Sequence, residues 1–386
     1  MIAPIRIAIV AGEASGDLLG SHLVSALRTR LPQAEFFGVA GPKMTANGVK
    51  SFFPMEKLSV IGFHEVFKNL FSLLALRRGL KRAIIAWRPH VYIGVDAPDF
   101  NFNVERTLRK RGIATVHFAS PSIWAWRGGR IRKIKRAVDH MLVLFPFEKA
   151  IYDQAGIPAT YVGHPLADTI PLESNPNAAR DQLKLSHDTT IVTLLPGSRR
   201  SELHMHADLF IQTAQRLHEQ LPQVKFLAPL ATKETRNLFE AAVYRNQAQE
   251  LPIKILFGHA QEAMAAANCV LVKSGTATLE AALLKRPMVI TYRIPKLTYR
   301  LVHRRFYLPY FGMPNVLAGR FIVPEFMQDQ ATPENLAQAV RAWLEDQNAR
   351  DGLSAEFTRM HLTLRQNTAQ LASDAVLGLL HARGVC

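Results

Sequence analysis

The chain alternates between short apolar segments and longer amphipathic ones, and this alternation constrains its fold more than any other feature. The short segments are rich in β-branched residues and mostly apolar throughout, as in IRIAIV at 5–10 and VYIGV at 91–95. Strands of this kind belong to parallel sheets that are covered by helices on both faces. The sequence therefore predicts an α/β fold.

A polar, proline-containing stretch interrupts the alternation at 169–182, and the rhythm restarts with TIVTLLPGSRRSE at 190–202. At about 150 residues per domain, 386 residues accommodate two domains. We predict Rossmann-like domains at 1–168 and 169–345. The amphipathic helices of 346–386 are expected to pack on the N-terminal domain or on a partner subunit of a homodimer.

Charge and cysteine content narrow the class of protein. The formal net charge is +16, which favours acidic partners: nucleic acid, an anionic membrane face or phosphorylated substrates. Two cysteines cannot form a disulfide framework, and the N-terminus lacks the apolar run of a signal peptide, so we expect a cytoplasmic protein. No segment reaches the ~18 uninterrupted apolar residues of a membrane-spanning helix. We expect the chain to contact a membrane without crossing it.

Ligands of open α/β sheets bind beyond the carboxyl ends of the strands, so the loops that follow the predicted strands are the candidate binding sites. In GEASGD (12–17), Gly12 and Gly16 allow a ligand to approach the backbone closely. Glu13 is not needed to form a turn, so its presence favours a binding role for this loop. A plain strand-to-helix turn with Ser15 or Asp17 as the helix cap is the alternative. Both interpretations stay open.

VYIGVDAPDFN (91–101) ends a strand with two carboxylates. Asp96 lies nearer the strand end, where a carboxylate can act as general base for an incoming hydroxyl. Asp99 has the spacing of a cap for the following helix. We therefore predict catalysis by Asp96 and a structural or supporting role for Asp99.

SPSIWAWRGGRIRKIKR (120–136) has two tryptophans and then six basic residues within 127–136. Aromatic and basic residues together can form a stacking platform for single-stranded nucleic acid. They can also line an acceptor site or form a solvated helix face. Because no RNA-binding or helix-turn-helix signature accompanies them, nucleic acid is disfavoured.

Two loops of the second half carry the features of an anion site. LLPGSRRSE (194–202) places arginines beyond a strand, where guanidinium groups match phosphate oxygens, and KSGTATLE (273–280) places hydroxyls at a helix start. The residues predicted to bind phosphate and ribose are Gly197, Ser198, Arg199, Arg200, Gly275, Thr276, Thr278 and Glu280. A capping box explains the threonines, but not why both loops share one sheet edge.

Several other classes lack their signatures in this sequence. Neither half shows G-x-G-x-x-G with a later acidic residue, which disfavours a nicotinamide dehydrogenase. No H-E-x-x-H, C-x-x-C or histidine cluster suggests a metal, and His204 and His206 are two residues apart, which does not align them on a helix. We predict neither a metal nor a cofactor.

Taken together, nine stretches resemble the lipid-A-disaccharide synthase family, glycosyltransferase family 19. They are GEASGD, VAGPKM (39–44), GVDAPDFN, SPSIWAWR, FPFEK (145–149), GHPLAD (163–168), LPGSRRSE, SGTATLE and MPNVLAGR (313–320). The resemblance implies a GT-B fold, with two Rossmann-like domains facing across a cleft and C-terminal helices crossing back. It also implies an inverting enzyme that needs no metal.

The family's reaction joins UDP-2,3-diacylglucosamine to 2,3-diacylglucosamine 1-phosphate (lipid X). The products are the β-1,6-linked lipid A disaccharide 1-phosphate and UDP, in lipopolysaccharide biosynthesis. The resemblance thus implies a protein at the cytoplasmic face of the inner membrane of a Gram-negative bacterium. Inversion needs one direct displacement, so no covalent glycosyl intermediate is expected.

The predicted residues fit this reaction. Asp96 can supply the base, while Arg199, Arg200 and the amides of 275–276 can stabilise the leaving UDP. Glu280 is the candidate ribose ligand, and by resemblance Asn315 would close on the nucleotide or its sugar. The set predicted for the acceptor side is Glu13, Ser15, Gly16, Asp99, Ser120 and Trp124.

Acylated substrates must be taken from a membrane, and the segment 63–82 has a matching pattern. Its apolar surface exceeds one core-facing stripe, and basic residues follow directly, as in an interfacial helix beside anionic headgroups. The predicted membrane residues are Phe63, Val66, Phe67, Leu70, Phe71, Leu74, Arg77 and Arg78, while Phe71 and Leu76 lie outside the main stripe. A buried helix with a solvated basic end is the alternative.

Two rival functions remain at this point. A UDP-GlcNAc 2-epimerase-like enzyme would share the two-domain architecture but would not need the surplus apolar helix. A basic membrane- or nucleic-acid-binding protein would use the clusters at 127–136 and 293–305. The second cluster could equally bind the acceptor phosphate or lipid headgroups.

Overall fold

The computed structural model describes residues 4–59, 66–302 and 306–385, with the side chains in these ranges apart from residues 59, 66–72 and 301–302. The chain divides into two compact units. The first contains residues up to Asp168 and the segment from Leu364 onwards, and the second spans Thr169–Thr363.

The first unit is a parallel sheet covered by helices. Its elements are β1 (Arg6–Ala11), α1 (Ala14–Arg30), β2 (Glu35–Val39), α2 (Pro42–Ala46), β3 (Lys50–Ser51), α3 (Glu56–Ser59), α4 (Val66–Trp87), β4 (Val91–Val95), α5 (Pro98–Arg109), β5 (Ala114–Phe118), α6 (Ile131–Lys135), β6 (His140–Val143), α7 (Pro146–Gln154), β7 (Ala159–Tyr161) and α8 (Pro165–Thr169). The strand order is β3-β2-β1-β4-β5-β6-β7. Every described pair in this sheet is parallel.

The second unit repeats this plan. Its elements are α9 (Pro176–Gln182), β8 (Ile191–Leu195), α10 (Arg200–Gln220), β9 (Lys225–Leu230), α11 (Lys233–Arg245), β10 (Ile253–Phe257), α12 (Ala260–Ala266), β11 (Cys269–Lys273), α13 (Thr276–Leu283), β12 (Met288–Tyr292), α14 (Lys296–Val302), α15 (Met313–Ala318), β13 (Glu325–Met327), α16 (Pro333–Glu345) and α17 (Gln347–Leu364). The strand order is β10-β9-β8-β11-β12-β13, again with parallel pairs.

The central strands are buried on both faces, which explains their unbroken apolar sequences. β4 and β5 are buried at every residue, and so is β8. Helices supply the covering layers: Leu23 and Leu27 of α1 are fully buried in the first core, and Phe210 of α10 in the second. The predicted α/β architecture is confirmed.

The last helix, α18 (Thr368–His381), belongs to the first unit, where it packs on α1 and against β5 and β6. Asp168, the last residue of GHPLAD, fixes its start by accepting hydrogen bonds from the amides of Asn367 (2.9 Å) and Thr368 (2.7 Å). The region 346–386, predicted as one piece, is thus divided, because α17 lies in the second unit.

Each sheet has a topological switch point where the strand order reverses direction. In the first unit it lies between β1 and β4, and in the second between β8 and β11. A crevice opens beyond the carboxyl ends of strands at such a point, which is where ligands of open α/β sheets bind. The four loops there are GEASGD, VDAPD, PGSRR and KSGT, all singled out by sequence.

Candidate functional site

The first-unit loops after β1 and β4 contact each other closely. A Cβ atom at Gly12 would lie 2.7 Å from Cβ of Ala97, and one at Gly16 would lie 3.4 Å from the Val95 carbonyl oxygen. Glycine is therefore required at 12 by this approach of two loops. Glu13 and Ser15 are exposed beside it, whereas Gly16 is buried.

Asp17 has a different role from the predicted one. Glu13, and neither Ser15 nor Asp17, occupies the N-cap position of α1. Asp17 is buried and accepts hydrogen bonds from the amides of Gly41 (2.9 Å), Lys43 (2.9 Å) and Met44 (3.0 Å). Its carboxylate thus caps α2 instead of its own helix, a contact between distant residues that local spacing does not reveal.

Asp96 lies directly at the switch point, half-buried, in the turn between β4 and α5. Its backbone is left-handed, with φ 51°, and Ala97 follows with φ 44°. Its amide donates to the Phe118 carbonyl oxygen at 2.8 Å. Among the described residues its carboxylate has no hydrogen-bond or ion-pair partner, which leaves both oxygens available to a substrate hydroxyl.

Asp99 does not cap α5, contrary to the prediction. Ala97 occupies the N-cap position, and Asp99 lies in the first turn with its side chain 83% exposed. Its two oxygens accept hydrogen bonds from Nη2 of Arg130 at 2.8 and 3.0 Å. This ion pair neutralises Asp99, so of the two carboxylates Asp96 is the one without a cation partner.

Ser120 and Trp124 lie beyond the carboxyl end of β5, where they surround a buried glutamate. Trp124 Nε1 donates to Oε1 of Glu148 at 3.2 Å, and the Ser120 hydroxyl hydrogen-bonds the Tyr152 hydroxyl at 2.7 Å. Burial raises the pKa of Glu148 to about 7, against the opposing effect of its hydrogen-bond donors, Phe145 N–H first. Sequence reasoning missed Glu148, although it lies within FPFEK.

The two predicted loops of the second unit lie side by side, since β8 and β11 are neighbours. Lys273 Nζ contacts Oε1 of Glu202 at 2.9 Å, which joins the end of β11 to the start of α10. The pKa of Glu202 is lowered: burial opposes ionisation, but Lys273 and the amides of Ser198 and Arg199 outweigh it. Neither Glu202 nor Lys273 was predicted.

Two amides of the PGSRR loop are already bonded within the protein, which corrects one expectation. Those of Ser198 and Arg199 donate to Oε2 of Glu202 at 2.9 and 3.3 Å. Gly197 has φ 131°, and a Cβ there would lie 2.5 Å from Cβ of Glu202, so the loop closes on the glutamate. What this loop offers an anion is therefore the exposed guanidinium groups of Arg199 and Arg200.

The KSGT loop retains free amides. Those of Gly275, Thr276 and Ala277 donate no hydrogen bond within the described part of the chain, and they start α13. Such amides at a helix N-terminus attract anions. Glu280 is half-buried one turn later, and burial, with Glu262 adding to it, raises the pKa of its carboxyl.

Two predicted ligands are buried and bonded within the protein. Thr278 is fully buried and its hydroxyl donates to the Gly275 carbonyl oxygen at 2.8 Å. Asn315 is also fully buried: its amide group donates to Val323 O (2.9 Å) and Glu325 Oε1 (2.7 Å), and its oxygen accepts from two amides. The prediction that these two side chains contact a nucleotide directly is therefore corrected. Thr278 instead stabilises the KSGT turn, and Asn315 stabilises the segment 322–325.

His206 links the start of α10 to the end of β12 through a neutral imidazole. Nδ1 lies 2.9 Å from the Glu202 carbonyl oxygen and Nε2 accepts from the Arg293 amide at 3.0 Å. Burial lowers the pKa of His206 to about 4. Among the residues that the structure covers, no group of three or more His, Cys, Asp or Glu could hold a metal.

The structure describes only part of the predicted membrane segment. Phe63 lies outside the described residues, as do the side chains of Val66, Phe67, Leu70 and Phe71. Further along α4, Leu74 and Arg77 are half-buried and Arg78 is exposed, while Leu76 packs against the core of the first unit. No helix within the described ranges has both the length and the apolarity to span a bilayer.

The sequence matches the model of one family, described as lipid-A-disaccharide synthetase, over residues 7–376. The chain belongs to this family. The lipid-A-disaccharide synthase of Dechloromonas aromatica is 54% identical over 99% of this chain and 100% of its own length, and that of Methylobacillus flagellatus is 55% identical over 97% and 99%.

Solved structures of other proteins share the fold of this chain. The UDP-GlcNAc 2-epimerase from Neisseria meningitidis bound to UDP-GlcNAc has a TM-score of 0.63 at 11% identity, covering 98% of this chain and 100% of its own. The calicheamicin glycosyltransferase CalG4 has a TM-score of 0.63 at 14% identity, covering 99% and 100%. The chain therefore has the GT-B fold, and the epimerases share that fold without supporting the epimerase alternative.

Proposed function

We propose that each unit binds one of the two substrates of lipid-A-disaccharide synthesis, the activity that family membership gives this chain. The first unit binds 2,3-diacylglucosamine 1-phosphate and supplies the base, and the second binds UDP-2,3-diacylglucosamine. The observation that carries the proposal is Asp96, a half-buried carboxylate at the first switch point with no partner among the described residues.

Asp96 takes the proton from the acceptor hydroxyl as that oxygen attacks the anomeric carbon. The bond from this carbon to the UDP oxygen breaks in the same displacement, which inverts the anomeric centre and gives a β-1,6 linkage. Negative charge then grows on the departing diphosphate. Donors arranged in advance around that charge stabilise the transition state more than the ground state.

The second unit offers such donors on the edge formed by β8 and β11. Arg199 and Arg200 supply guanidinium groups, and the free amides of Gly275 and Thr276 begin α13. Glu280, half-buried one turn into that helix, can accept hydrogen bonds from ribose hydroxyls. These groups match a nucleoside diphosphate: anion donors beside a carboxylate acceptor.

UDP release tests the proposal. Purified protein in detergent with EDTA is given UDP-2,3-diacylglucosamine with and without the acceptor, as wild type and as Asp96→Asn. We expect acceptor-dependent release that survives EDTA and falls about 10²–10⁴-fold in the folded variant. A variant that keeps the wild-type rate would remove Asp96 from the role of base.

A second pair of variants tests the nucleotide edge. Arg199→Gln should lower kcat by about 10²-fold because one charged donor to the leaving diphosphate is lost. Arg216→Gln is the matched control, since Arg216 lies on α10, the helix that Arg199 precedes, and forms exposed ion pairs with Glu219 and Glu334. Equal activity of the two variants would contradict the assignment.

We further propose that the protein binds the membrane peripherally through α4. Support comes from Arg77 and Arg78 in that helix and from the acyl chains of both substrates. Arginine side chains near an apolar helix face attract anionic headgroups. Co-sedimentation with phosphatidylglycerol vesicles should fall in Arg77→Gln/Arg78→Gln and not in the control Arg132→Gln/Lys133→Gln. The opposite result would move the contact to the basic cluster at 127–136.

A further inference from the structure

We propose that Tyr92 and Asn101 position the catalytic turn, by holding the Asp96 backbone in a conformation it would not keep alone. This inference rests on the proposed function, because it assigns the pair an effect that acts through Asp96. Neither residue reaches solvent: both are fully buried between β4 and α5. They are positioning residues and do not touch substrate.

The turn needs support because two consecutive residues other than glycine are left-handed. Asp96 has φ 51°, and Ala97 has φ 44° and ψ 56°. In this region the Cβ atom crowds the following carbonyl oxygen, which costs roughly 1–2 kcal/mol per residue. Strained backbone of this kind persists only where the surrounding structure holds it, and it is concentrated at functional sites.

A side-chain amide supplies the support. Nδ2 of Asn101 donates to the Asp96 carbonyl oxygen at 2.8 Å and lies 3.4 Å from the carbonyl oxygens of Val95 and Val10. On its other side, the Asp96 amide donates to the Phe118 carbonyl oxygen. Both peptide groups that flank the Asp96 side chain are therefore held.

Tyr92 orients that amide. Its hydroxyl donates to Oδ1 of Asn101 at 2.8 Å, so the NH₂ group is the one that faces the backbone carbonyl oxygens. Burial, reinforced by the nearby charge of Glu105, raises the pKa of Tyr92 well above its ordinary value, which keeps the phenol protonated as a donor. Without this hydroxyl the amide loses the contact that fixes which way it points.

Gly94 leaves the room for this arrangement. A Cβ atom there would lie 2.9 Å from Cβ of Asn101 and 2.2 Å from Oε1 of Glu105. The segment GVDAPDFN thus contains the carboxylate, the strained turn, the amide that holds it and the glycine that admits the amide.

The consequence for catalysis follows from the free carboxylate of Asp96. Because no described side chain holds this carboxylate, the backbone of the turn sets where its Cβ atom lies and which positions the carboxylate can reach. A misplacement of about 1 Å can cost about 10²-fold in rate. Relaxation of the turn toward a common backbone conformation would produce a displacement of this kind.

Three variants test the proposal in the full-length protein. Tyr92→Phe removes the orienting hydroxyl, and Asn101→Asp keeps the shape but removes the NH₂ donors. Thr115→Val is the matched control: it deletes a buried hydroxyl that donates to Ala137 O at 3.0 Å, at the amino end of the neighbouring strand. Melting temperatures show how much stability each change removes.

We expect kcat for UDP release to fall about 10–10²-fold in Tyr92→Phe and Asn101→Asp, with KM for both substrates within about twofold of wild type. Thr115→Val should keep the wild-type kcat at a comparable loss of melting temperature. Wild-type kcat in the first two variants would overturn the proposal, because their buried hydrogen bonds would then be structural only.

A double variant separates this inference from the proposed function. If the pair acts through Asp96, adding Asn101→Asp to Asp96→Asn should cost no further rate. A full additional loss would show an effect that bypasses Asp96 and would overturn the inference while leaving Asp96 as base. If Asp96→Asn alone retains the wild-type rate, the proposed function fails first.

Discussion

Glu148 in the first unit and Glu202 in the second hold the same local position after a strand, at the start of α7 and of α10, yet their pKa values move in opposite directions. Each is the third residue of its helix. Glu148 accepts hydrogen bonds from the amides of Leu144 and Phe145, and Glu202 from those of Ser198 and Arg199.

The difference lies in the third donor. For Glu148 it is the neutral indole of Trp124, and burial raises the pKa of the carboxyl to about 7. For Glu202 it is the ammonium of Lys273 at 2.9 Å, and although burial opposes ionisation, the pKa is lowered. The same backbone arrangement therefore gives a carboxyl with a raised pKa at Glu148 and an ion-paired carboxylate at Glu202.

The surroundings extend this contrast. Near Glu148 the ring of Phe147 contacts those of Phe145 and Trp124, and His164 stacks on Phe145. Burial lowers the pKa of His164 to about 4, so the imidazole is neutral. Near Glu202 the neighbours are charged. An uncharged aromatic edge suits a lipid-bearing sugar, and a charged one suits a diphosphate, in agreement with the proposed division of substrates.

The largest expected effect concerns the pH dependence due to Glu148. Its carboxyl titrates near 7 in the folded protein and near 4.5 when unfolded. Between these values the native state binds more protons, so rising pH lowers the free energy of unfolding, by about 3 kcal/mol in total. Chemical denaturation at pH 5 to 8 should show this loss in wild type and not in Glu148→Gln. Equal slopes would contradict the raised pKa.

Lys273→Met should make Glu202 resemble Glu148. Removing the ammonium leaves a carboxylate that is 18% exposed without its cation, and we expect a loss of about 2 kcal/mol at pH 8. Because Lys273 lowers the pKa of Glu202, its stabilisation is present above the unfolded pKa and disappears as pH falls through the folded one. Denaturation curves at pH 8 and pH 4 measure this difference.

The double variant Lys273→Met/Glu202→Gln is the control for that experiment. It removes both charges, so no uncompensated carboxylate remains and part of the stability at pH 8 should return. A double variant no more stable than Lys273→Met would show that the loss comes from packing of the lysine stem and not from charge.

Trp124→Phe tests the neutral donor and should have a smaller effect. Loss of the indole hydrogen bond to Glu148 should cost about 1 kcal/mol and raise the pKa of Glu148 further. Trp126→Phe is the matched control, because Trp126 lies two residues away and stacks with Arg127 instead. Thermal denaturation of both variants at pH 8 gives the comparison, and equal losses would exclude a specific contribution of the indole.

Asp99→Asn should have the smallest effect of the series. The ion pair of Asp99 with Arg130 is exposed, and such pairs contribute about 0.2–1 kcal/mol. We expect UDP release within about threefold of wild type, in contrast to Asp96→Asn. A rate loss as large as that of Asp96→Asn would exchange the roles of the two carboxylates.

Sequence patterns predicted much of this fold because its central strands are buried on both faces. The segment 91–95 is a strand at its predicted bounds, and the predicted strand 5–10 corresponds to β1 (Arg6–Ala11). Short edge strands were missed, among them β3, β7 and β13, since two or three residues give too little periodicity to recognise. The four loops at the switch points were found because parallel strands bring their carboxyl ends to one edge.

Individual roles within those loops were harder to predict. Asp17, Thr278 and Asn315 all have residue types that suit ligands or local caps, but their partners are backbone groups or side chains of other elements. Glu148 and Glu202 accept from amides three and four residues before them, but the partners that distinguish their charge, Trp124 and Lys273, are brought near only by folding, so these roles were missed. The predicted membrane and acceptor residues stay predictions, as do the roles of Arg199 and Glu280.

The sequence by itself determined the two Rossmann-like sheets, the switch-point loops and the family, because apolar periodicity and motif order are properties of the chain. Only the tertiary structure decided which polar groups are free and which are already bonded. It showed that Asp99 is paired with Arg130 while the carboxylate of Asp96 has no partner among the described residues. It also showed that the pKa of Glu148 is raised and that of Glu202 lowered. The physical reason is that burial and partners set the charge and the direction of a side chain, and both come from residues distant in sequence.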